Sequence, residues 1–490
     1  MGRDYYPIPF FLSTKGPTTP RYAPANVYEQ SFTAETDIDS SKAKYQVFED
    51  GRLLTLVVDE AACDGTPGSY YFTTFNDGAP CTVGIHTTNS NNPNSNGSVY
   101  GVSRRIYGFA VGDNATVKNL HARRALANNG CAEIGDGSTT QNCVFEDGHV
   151  HNALFGYGTV RNCWSYGWNT SNEVGGASAF IGYTTAETNG PNYEFLNCIV
   201  INKNSVNTRQ GTGFYVHGQA LGNIGSVLYQ DCEAYYSGAL HAGAADNTGQ
   251  IISRRCLAYE CNVFGGAGGN EGGFPYLSED DEYYRTVSKI GTSSPTFSPG
   301  PNAGSVIKRL KSFQKNSDFV KSFASAGDFN LTIEDSSIVL STLEASDRGW
   351  AFLIEANNDS KVPSLNSSRN AFVGWDNFGY LFLDSDITNI SAVVSDNNAI
   401  EADNSPTQLL GSTYSTITAL NIAQPQLEAS SQRDANIGLL DPSARDYTAS
   451  DGSIVDVNNW GGIGPDFYQS LATYSSRLAQ VQALINGNVI

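Results

Sequence analysis

The chain has little basic character and no long apolar run. Its 490 residues include 29 Lys and Arg against 49 Asp and Glu, a formal net charge of −20 at pH 7. Proteins that bind nucleic-acid phosphates need a basic surface, so this charge argues against a general nucleic-acid binder. No stretch is long and apolar enough to cross a bilayer, and the first residues show no secretion signal. We therefore expect no nucleic-acid partner, no membrane insertion and no export through a signal peptide.

Methionine occurs once, whereas the chain contains 50 Gly, 26 Tyr and 24 Phe. This composition suits a β-rich protein with many tight turns better than a helical one. There are nine cysteines, but none stands with a His or a second Cys at zinc-site spacing. We predict no cofactor and no metal site from motifs. Calcium stays open, because scattered loop carboxylates can bind it without a motif.

A polar residue followed by an apolar one recurs six times, at spacings of 20 to 35 residues. The pairs are Asn119-Leu120, Asn142-Cys143, Asn162-Cys163, Asn197-Cys198, Asp231-Cys232 and Arg255-Cys256. Repeats of this length predict a solenoid, whose units bury a face by stacking. Alternate positions around each pair are apolar or small, the period of a strand with one buried face. The five stacked cysteines are therefore predicted to be buried free thiols.

This pattern resembles that of right-handed parallel β-helix proteins of the pectate-lyase-like class, in which Asn and small apolar side chains stack in ladders. The resemblance covers roughly residues 100 to 320 and implies an all-β solenoid. Among such proteins the chain looks most like phage tailspikes and other virion surface proteins. The Gly-His-Gly and Asn-Thr-Asp signatures of pectate lyases and polygalacturonases are absent, so the resemblance implies an architecture and no particular enzyme.

Three segments are predicted along the chain. Residues 1–50 are rich in Pro and aromatic residues and form an N-terminal attachment arm, and residues 51–465 form the β-helix. A Gly- and Pro-containing stretch near 265–304 is predicted to be one long surface loop. Residues 466–490 form a short C-terminal helix, whose apolar seam either caps the solenoid or joins copies of the chain. The seam residues are Leu471, Tyr474, Leu478, Val481 and Ile485.

Stacking also predicts which side chains are neighbours, because successive coils lie about 4.8 Å apart. Arg123, Glu146 and Tyr166 hold one outward position on three consecutive coils. A carboxylate between a guanidinium and a phenol can hold an acidic sugar and move a proton, so these three and the adjacent Asp147 are candidate catalytic residues. Candidate substrate-binding residues around them are His121, Lys118 and Arg161. The alternative is an ordinary charge pair on a solvated wall.

A second wall is predicted to carry an outward column of ring-bearing side chains, formed by Phe180, Tyr215, His241 and Phe264. Aromatic faces stack on sugar rings, so these are further candidate substrate-binding residues. The alternative is burial against another chain or under the 265–304 loop.

The function predicted first is that of a phage tailspike-like virion protein. It would be a homotrimer on the virion surface that binds a host polysaccharide, with cleavage left open, and contacts other virion proteins through residues 1–50. Free cysteines agree with assembly in the host cytoplasm. Two alternatives remain: a non-enzymatic structural virion or cell-surface protein, and a free polysaccharide lyase or glycoside hydrolase.

Overall fold

The computed structural model describes most of the chain between residues 26 and 458. The described residues are 26–33, 46–50, 52–74, 80–93, 95–102, 108–123, 130–168, 177–184, 192–202, 211–218, 225–243, 250–267, 276–286, 297–298, 304–315, 319–324, 330–341, 350–356, 364–374, 377–382, 393–401, 407–409, 412–433, 437–458, 479–480 and 483.

From residue 109 the chain winds as a right-handed parallel β-helix, as the sequence predicts. Each coil contributes one strand in turn to three parallel sheets, named here A, B and C. Sheet A contains Phe109–Val111, Ala132–Ile134, His151–Phe155, Ser178–Thr184, Thr212–Gly218, Ala239–Gly243, Val263–Ala267, Phe297–Ser298, Val320–Ala324, Trp350–Ala356 and Asn377–Phe382.

The other two sheets follow in the same order along each coil. Sheet B contains Thr116–Lys118, Ser138–Gln141, Gly158–Arg161, Tyr193–Leu196, Ser226–Gln230, Gln250–Arg254, Tyr276–Glu279, Gly304–Lys308, Asn330–Glu334, Ser364–Ser368 and Val393–Asp396. Sheet C contains His121–Arg123, Val144–Gly148, Trp164–Trp168, Ile199–Ile201, Glu233–Tyr235, Leu257–Tyr259, Glu282–Tyr284, Lys311–Lys315, Ser337–Ser341, Ala371–Val373, Ala399–Ile400 and Gln432–Arg433.

The polar residue of each repeat forms the corner between sheets B and C. Its backbone is left-handed in all six predicted coils, with φ between 51° and 57°, a conformation that Asn and Asp tolerate better than most residues. The same conformation continues in five later coils, at Asp280, Arg309, Asp335, Arg369 and Asn397. The coil therefore repeats well beyond the point where the Cys pattern stops.

The side chains at this corner form a ladder. In the early coils each Asn amide donates to the preceding one, with Nδ2 to Oδ1 distances of 2.9 to 3.3 Å from Asn119 to Asn197. In later coils the amides give way to bidentate ion pairs between successive corners. These pairs are Arg255–Asp231, Arg309–Asp280 and Arg369–Asp335.

The interior matches the prediction for cysteine. All nine cysteines are buried free thiols. In the five ladder positions each Sγ donates to the carbonyl two residues before it, at 3.2 to 3.5 Å. Beside them a run of rings fills the core, with neighbouring centroids 5.4 to 6.3 Å apart. Its members are Phe155, Phe180, Phe195, Phe214 and Tyr229.

The segment before the coils folds differently from the prediction. Most of its strand pairs are antiparallel, and it has its own apolar core around Val47, Tyr70 and Ile85. The parallel coils thus begin at Phe109, and the start predicted at residue 51 is wrong. The strands are Val27–Thr33, Val47–Glu49, Arg52–Leu53, Thr55–Leu56, Ser69–Thr74, Pro80–His86 and Tyr100–Val102, and a helix spans Glu60–Asp64. Residues 1–25 of the predicted arm lie outside the described residues.

The stretch predicted as one surface loop near 265–304 contains strands of all three sheets, so that prediction is wrong. Its acidic run is divided among separate environments: Glu279 faces outward from sheet B, Asp280 turns the corner and Asp281 is buried in the core. Glu282 begins the next strand of sheet C.

The far end of the solenoid is closed by a helix spanning Ile417–Ala423. Thr416 caps its N-terminus, and Ile417 and Leu420 are fully buried in the main core. Strands Thr407–Leu409 and Ser412–Tyr414 precede it. Further strands, Leu439–Asp441 and Asp446–Ala449, form a hairpin around a 3₁₀ turn at Pro442–Ala444, and a short helix spans Ile454–Asn458. The five residues of the predicted apolar seam, Leu471, Tyr474, Leu478, Val481 and Ile485, lie outside the described residues.

Within the described part of the chain, no helix is both long and apolar enough to span a membrane.

Candidate functional site

The three residues predicted as neighbours are adjacent on the outer face of sheet C. Arg123 pairs in register with Glu146, and Glu146 pairs with Tyr166, on strands His121–Arg123, Val144–Gly148 and Trp164–Trp168. Strand residues two apart share a face, so His121 stands beside Arg123 on the same outer surface. The Asn corner holds the register, since it restarts each strand of sheet C at the same position.

Glu146 is the centre of this group. Its Oε2 atom accepts a hydrogen bond from the Tyr166 hydroxyl at 2.9 Å and lies 3.0 Å from His121 Nε2. The Glu146 side chain is 10% exposed, whereas that of His121 is 46% exposed. The carboxylate is therefore held nearly buried, beneath an imidazole that reaches solvent.

This contact fixes the imidazole tautomer. A carboxylate only accepts hydrogen bonds, so the proton that bridges His121 and Glu146 sits on Nε2 when the imidazole is neutral. The Nδ1 atom then carries the lone pair and can act as a base toward a bound ligand. Glu146 would stabilise the imidazolium that forms when Nδ1 takes up a proton.

Tyr166 keeps its proton at neutral pH, so it can act as a donor and not as a base. Burial raises the pKa of its phenol well above the usual value, and the Glu146 charge and hydrogen bond raise it further. The nearby Arg123 charge acts in the opposite direction but does not cancel these effects. The phenol is therefore protonated at neutral pH.

Lys118 and Arg161 lie on sheet B, across the Asn corner from this group. They occupy the same outward column, with Gln141 between them, and both side chains are exposed. The Arg161 guanidinium donates to the Gln141 side-chain oxygen at 2.8 Å. With Arg123, which is also exposed, they place three cations around the first three coils of a chain with a net charge of −20.

Asp147 differs from the surface acid that the sequence suggests. It is fully buried and takes a left-handed backbone conformation at the end of its strand, so it does not share the outer surface with Glu146. The nearby His151 is half-buried, and desolvation lowers the pKa of its imidazole to about 4. The His151 Nδ1 atom accepts a hydrogen bond from the Ser178 backbone N–H at 3.1 Å and is therefore neutral.

The predicted aromatic wall on sheet A does not form. Phe180 and Phe264 are fully buried and face the core, so the prediction that they face outward is wrong. The register places Glu133, Leu154, Ile181 and Tyr215 in the outward column. A slip of one residue moves every side chain of a strand to the other face, and neighbours on both sides of Phe180 are apolar. The apolar pattern around Phe180 therefore does not show which side chains of this strand face the core.

Of the remaining wall residues, Tyr215 is half-buried in the outward column, and burial raises the pKa of its phenol. The backbone of His241 pairs with Phe214, the inward neighbour of Tyr215. The His241 side chain lies outside what the structure describes. Sheet A thus provides Tyr215 alone of the four predicted binding residues at a described outward position.

Sequence reasoning missed Trp164. It lies two residues from Tyr166 on the same strand, in register with Val144, and its side chain is half-buried on the outer face of sheet C. The indole therefore stands beside the Glu146 group, where its face can pack on a sugar ring. The signal was present, since the position directly after each repeat pair aligns His121, Val144 and Trp164.

Within the described residues, no group of three or more His, Cys, Asp or Glu side chains is placed to hold a metal ion.

Comparisons with known proteins identify no family for this chain. No family model matches, and no curated protein matches by sequence. A solved structure of XylC in complex with xylose is similar over 77% of this chain, at 10% identity and a TM-score of 0.43. The similar region spans 65% of the XylC chain. The assignment of the fold therefore rests on the strand pairing of this chain itself.

Proposed function

We propose that this protein binds an acidic polysaccharide across its first three coils and cleaves it by β-elimination at the Glu146 group. The observation that carries the proposal is the double contact at Glu146 Oε2, which joins His121 and Tyr166 beside Arg123. This arrangement offers a base, an acid and a cation on one outer surface. If these residues served only to keep the surface solvated, the Glu146 carboxylate would not need to be nearly buried and in contact with both the Tyr166 hydroxyl and the exposed His121 imidazole.

The three exposed cations favour an acidic sugar. Arg123 lies next to the proton-transfer group, and its planar guanidinium suits bidentate binding of a carboxylate. Lys118 and Arg161 lie across the corner, where they can hold further acidic units of the same polymer. A uronate polymer carries one carboxylate on every uronate residue. It can therefore bind Arg123 on sheet C and also Lys118 and Arg161 on sheet B.

In the proposed reaction, His121 Nδ1 removes the proton from the carbon next to the uronate carboxyl group. Arg123 stabilises the negative charge that develops on that carboxylate. The electron pair forms a carbon–carbon double bond as the bond from the neighbouring carbon to the leaving sugar oxygen breaks. Tyr166 protonates that oxygen, and the proton on His121 returns to Tyr166 through Glu146 or water. The products are an unsaturated uronate end and a free hydroxyl end.

Elimination fits this group better than hydrolysis. Glycoside hydrolysis in most families needs two carboxyl groups that flank the same bond. Here Asp147, the nearest other carboxyl group in sequence, is fully buried. Elimination needs one base, one acid and a cation, which His121, Tyr166 and Arg123 supply.

The experiment is a panel of uronate, sulfated, sialylated and neutral polysaccharides incubated with the purified protein. Ultraviolet absorbance of unsaturated ends and reducing-end release are both followed. We expect new absorbance with at least one uronate polymer and none with neutral polymers. Reducing ends without absorbance would show hydrolysis and contradict the elimination. No cleavage and no retention of any polymer would contradict the proposed function and favour the purely structural alternative.

We also propose that the protein serves as a tailspike-like component on a virion surface. The buried free thiols support this role, because an array of unpaired cysteines suits assembly in a reducing cytoplasm. Proteomic analysis of purified particles from a producing lysate tests it. The chain should copurify with particles at constant stoichiometry, whereas recovery only in the particle-free fraction would contradict the virion role and favour a free enzyme.

A further inference from the structure

A stripe of aliphatic side chains runs along the outer face of sheet B. Leu228, Ile252, Leu277 and Val306 pair in register on four consecutive coils, and each is half-buried while pointing away from the core. Leu196 extends the stripe diagonally from the neighbouring outward column. At sheet spacing the four coils span about 14 Å.

The stripe is confined to the middle of the sheet. In the same column, the preceding coils carry Thr116, Thr139, Thr159 and Glu194, and the next two coils carry Thr332 and Asn366, before Val394 on the last strand. A solvated wall has polar residues at these positions, as the coils on either side do. Four consecutive aliphatic side chains on an outward column therefore mark a local departure from that pattern.

The charges around the stripe cancel in pairs. In the column beside it Arg254 binds Glu279 at 2.9 Å, and Lys308 binds Glu334 at 2.7 Å. The next corner is paired as well, through Arg255–Asp231, Arg309–Asp280 and Arg369–Asp335. The described strands of sheet B carry four basic and four acidic side chains: Lys118, Arg161, Arg254 and Lys308, and Glu194, Glu279, Glu334 and Asp396.

We propose that this stripe is the surface through which two copies of the chain pack side by side. Each copy carries a net charge of −20, so two copies repel each other unless they meet through a neutral face. Sheet B is such a face. Burying its aliphatic stripe against the same stripe of a second copy supplies the attraction.

The stripe alone is too small for a stable interface, which needs about 800 Å² on each partner. The contact must therefore include the column of ion pairs beside it. Because these charges alternate in sign along the column, a small axial offset between copies brings opposite charges together. Association through this face should consequently weaken less with added salt than a contact built on charge alone, because its centre is apolar.

The first test is the mass of the full chain in solution by sedimentation equilibrium. We expect an oligomer for the wild type and a monomer for the double variant Ile252→Glu, Leu277→Glu. Val58→Glu is the matched control, because Val58 is 91% exposed and lies before the coils. It should leave the mass unchanged. A monomeric wild type, or an oligomer that survives the double substitution with unchanged affinity, would overturn the proposal.

A cross-linking variant keeps the test independent of any folding defect. Leu277→Cys places one accessible thiol near the middle of the stripe, while the nine native thiols are buried. Mild oxidation should give a disulfide-linked dimer on a non-reducing gel, and Val58→Cys should not. Equal cross-linking by both variants, or none at Leu277→Cys, would count against the stripe as the interface. Catalysis is proposed on sheet C, so neither result depends on it.

Discussion

At the scale of single residues, the coil assigns adjacent side chains to very different environments. Asp281 follows Cys256 in the interior ladder and is fully buried in the core. Its Oδ1 accepts from the Cys256 backbone N–H at 2.7 Å, and its Oδ2 accepts from the Ser278 hydroxyl at 2.6 Å. Burial outweighs these hydrogen bonds and raises the pKa of the carboxyl group to about 7.

This shift predicts a pH dependence of stability. Because the pKa of Asp281 is raised in the folded state, folding favours the protonated acid. The resulting stabilisation is complete below the pKa that Asp281 has in the unfolded chain, near 4, and is lost as pH rises through about 7. The loss is at most roughly 4 kcal/mol. Asp281→Asn should remove this slope, measured as Tm between pH 5 and pH 8. Asp280→Asn, at the half-buried corner, should keep it, and an unchanged slope in Asp281→Asn would contradict the account.

A second residue-scale prediction concerns Trp164. If its indole packs on a sugar ring next to the Glu146 group, Trp164→Ala should lose about 1 kcal/mol of binding, roughly a fivefold rise in KM, with a smaller change in kcat. Trp164→Phe should retain part of the affinity. Polysaccharide should also quench the tryptophan fluorescence of the wild type more than that of Trp164→Phe. Equal quenching in both would show that Trp164 does not contact the ligand, while leaving the cleavage reaction itself untouched.

At the scale of elements, the hairpin formed by Leu439–Asp441 and Asp446–Ala449 covers the outer face of sheet C in the later coils. Tyr447 and Leu439 pack on Tyr284, Phe313 and Val339. Arg445 in the turn forms a bidentate ion pair with Glu282, and both side chains are nearly buried, 8% and 6% exposed.

Breaking this buried pair should therefore release the hairpin. Arg445→Gln leaves the Glu282 carboxylate buried without its partner, a loss of about 3 to 5 kcal/mol. The same substitution at Arg309, whose pair with Asp280 is partly exposed, should cost less than about 1 kcal/mol. Urea unfolding and chymotrypsin cleavage at Tyr447 measure the two effects. Similar stability and similar cleavage rates for the two variants would argue that the hairpin is held by its apolar contacts alone.

The elements also show which parts of the fold were predictable. The Asn–Cys pairs predicted the sheet C register, because a polar corner and a small buried residue recur together in five coils. Beyond Cys256 the buried ladder position is filled by Asp281, Leu310, Ser336, Asn370 and Asn398. Four of these five are polar, so an apolar template cannot find them. Their hydrogen bonds to the next coil, such as Ser336 N–H to Asn370 Oδ1, make the burial possible.

Sheet A was less predictable for a different reason. Ala179, Phe180 and Ile181 are all buried, although successive residues of a strand face opposite sides. A run that is apolar on both faces has no alternation from which to choose the inward side. The site on sheet C could be predicted from the sequence because Arg123, Glu146 and Tyr166 each have a strand neighbour that is plainly buried. Successive residues of a strand face opposite sides, so the buried neighbour shows that these three side chains face outward.

At the scale of the whole molecule, the solenoid separates three surfaces that carry different proposals. The first coils of sheet C carry the proton-transfer group, the later coils of sheet C are covered by the hairpin, and sheet B carries a neutral aliphatic stripe. Because coils contact only their neighbours, substitutions on one surface should leave the others intact. Oligomer mass and cleavage activity are therefore expected to respond to different substitutions.

The central claim is that Glu146 organises a catalytic group for an acidic polysaccharide. Its most direct test is the rate of unsaturated uronate formation by the wild type, by Glu146→Gln and by Glu133→Gln, a matched change at an outward position of sheet A. Because Glu146 holds the base His121 and the acid Tyr166 in place, Glu146→Gln should lose at least about 100-fold in kcat, the lower end of the about 100-fold to 10,000-fold that general acid–base catalysis contributes, while Glu133→Gln keeps the wild-type rate. A Glu146→Gln variant that cleaves as fast as the wild type would contradict the account.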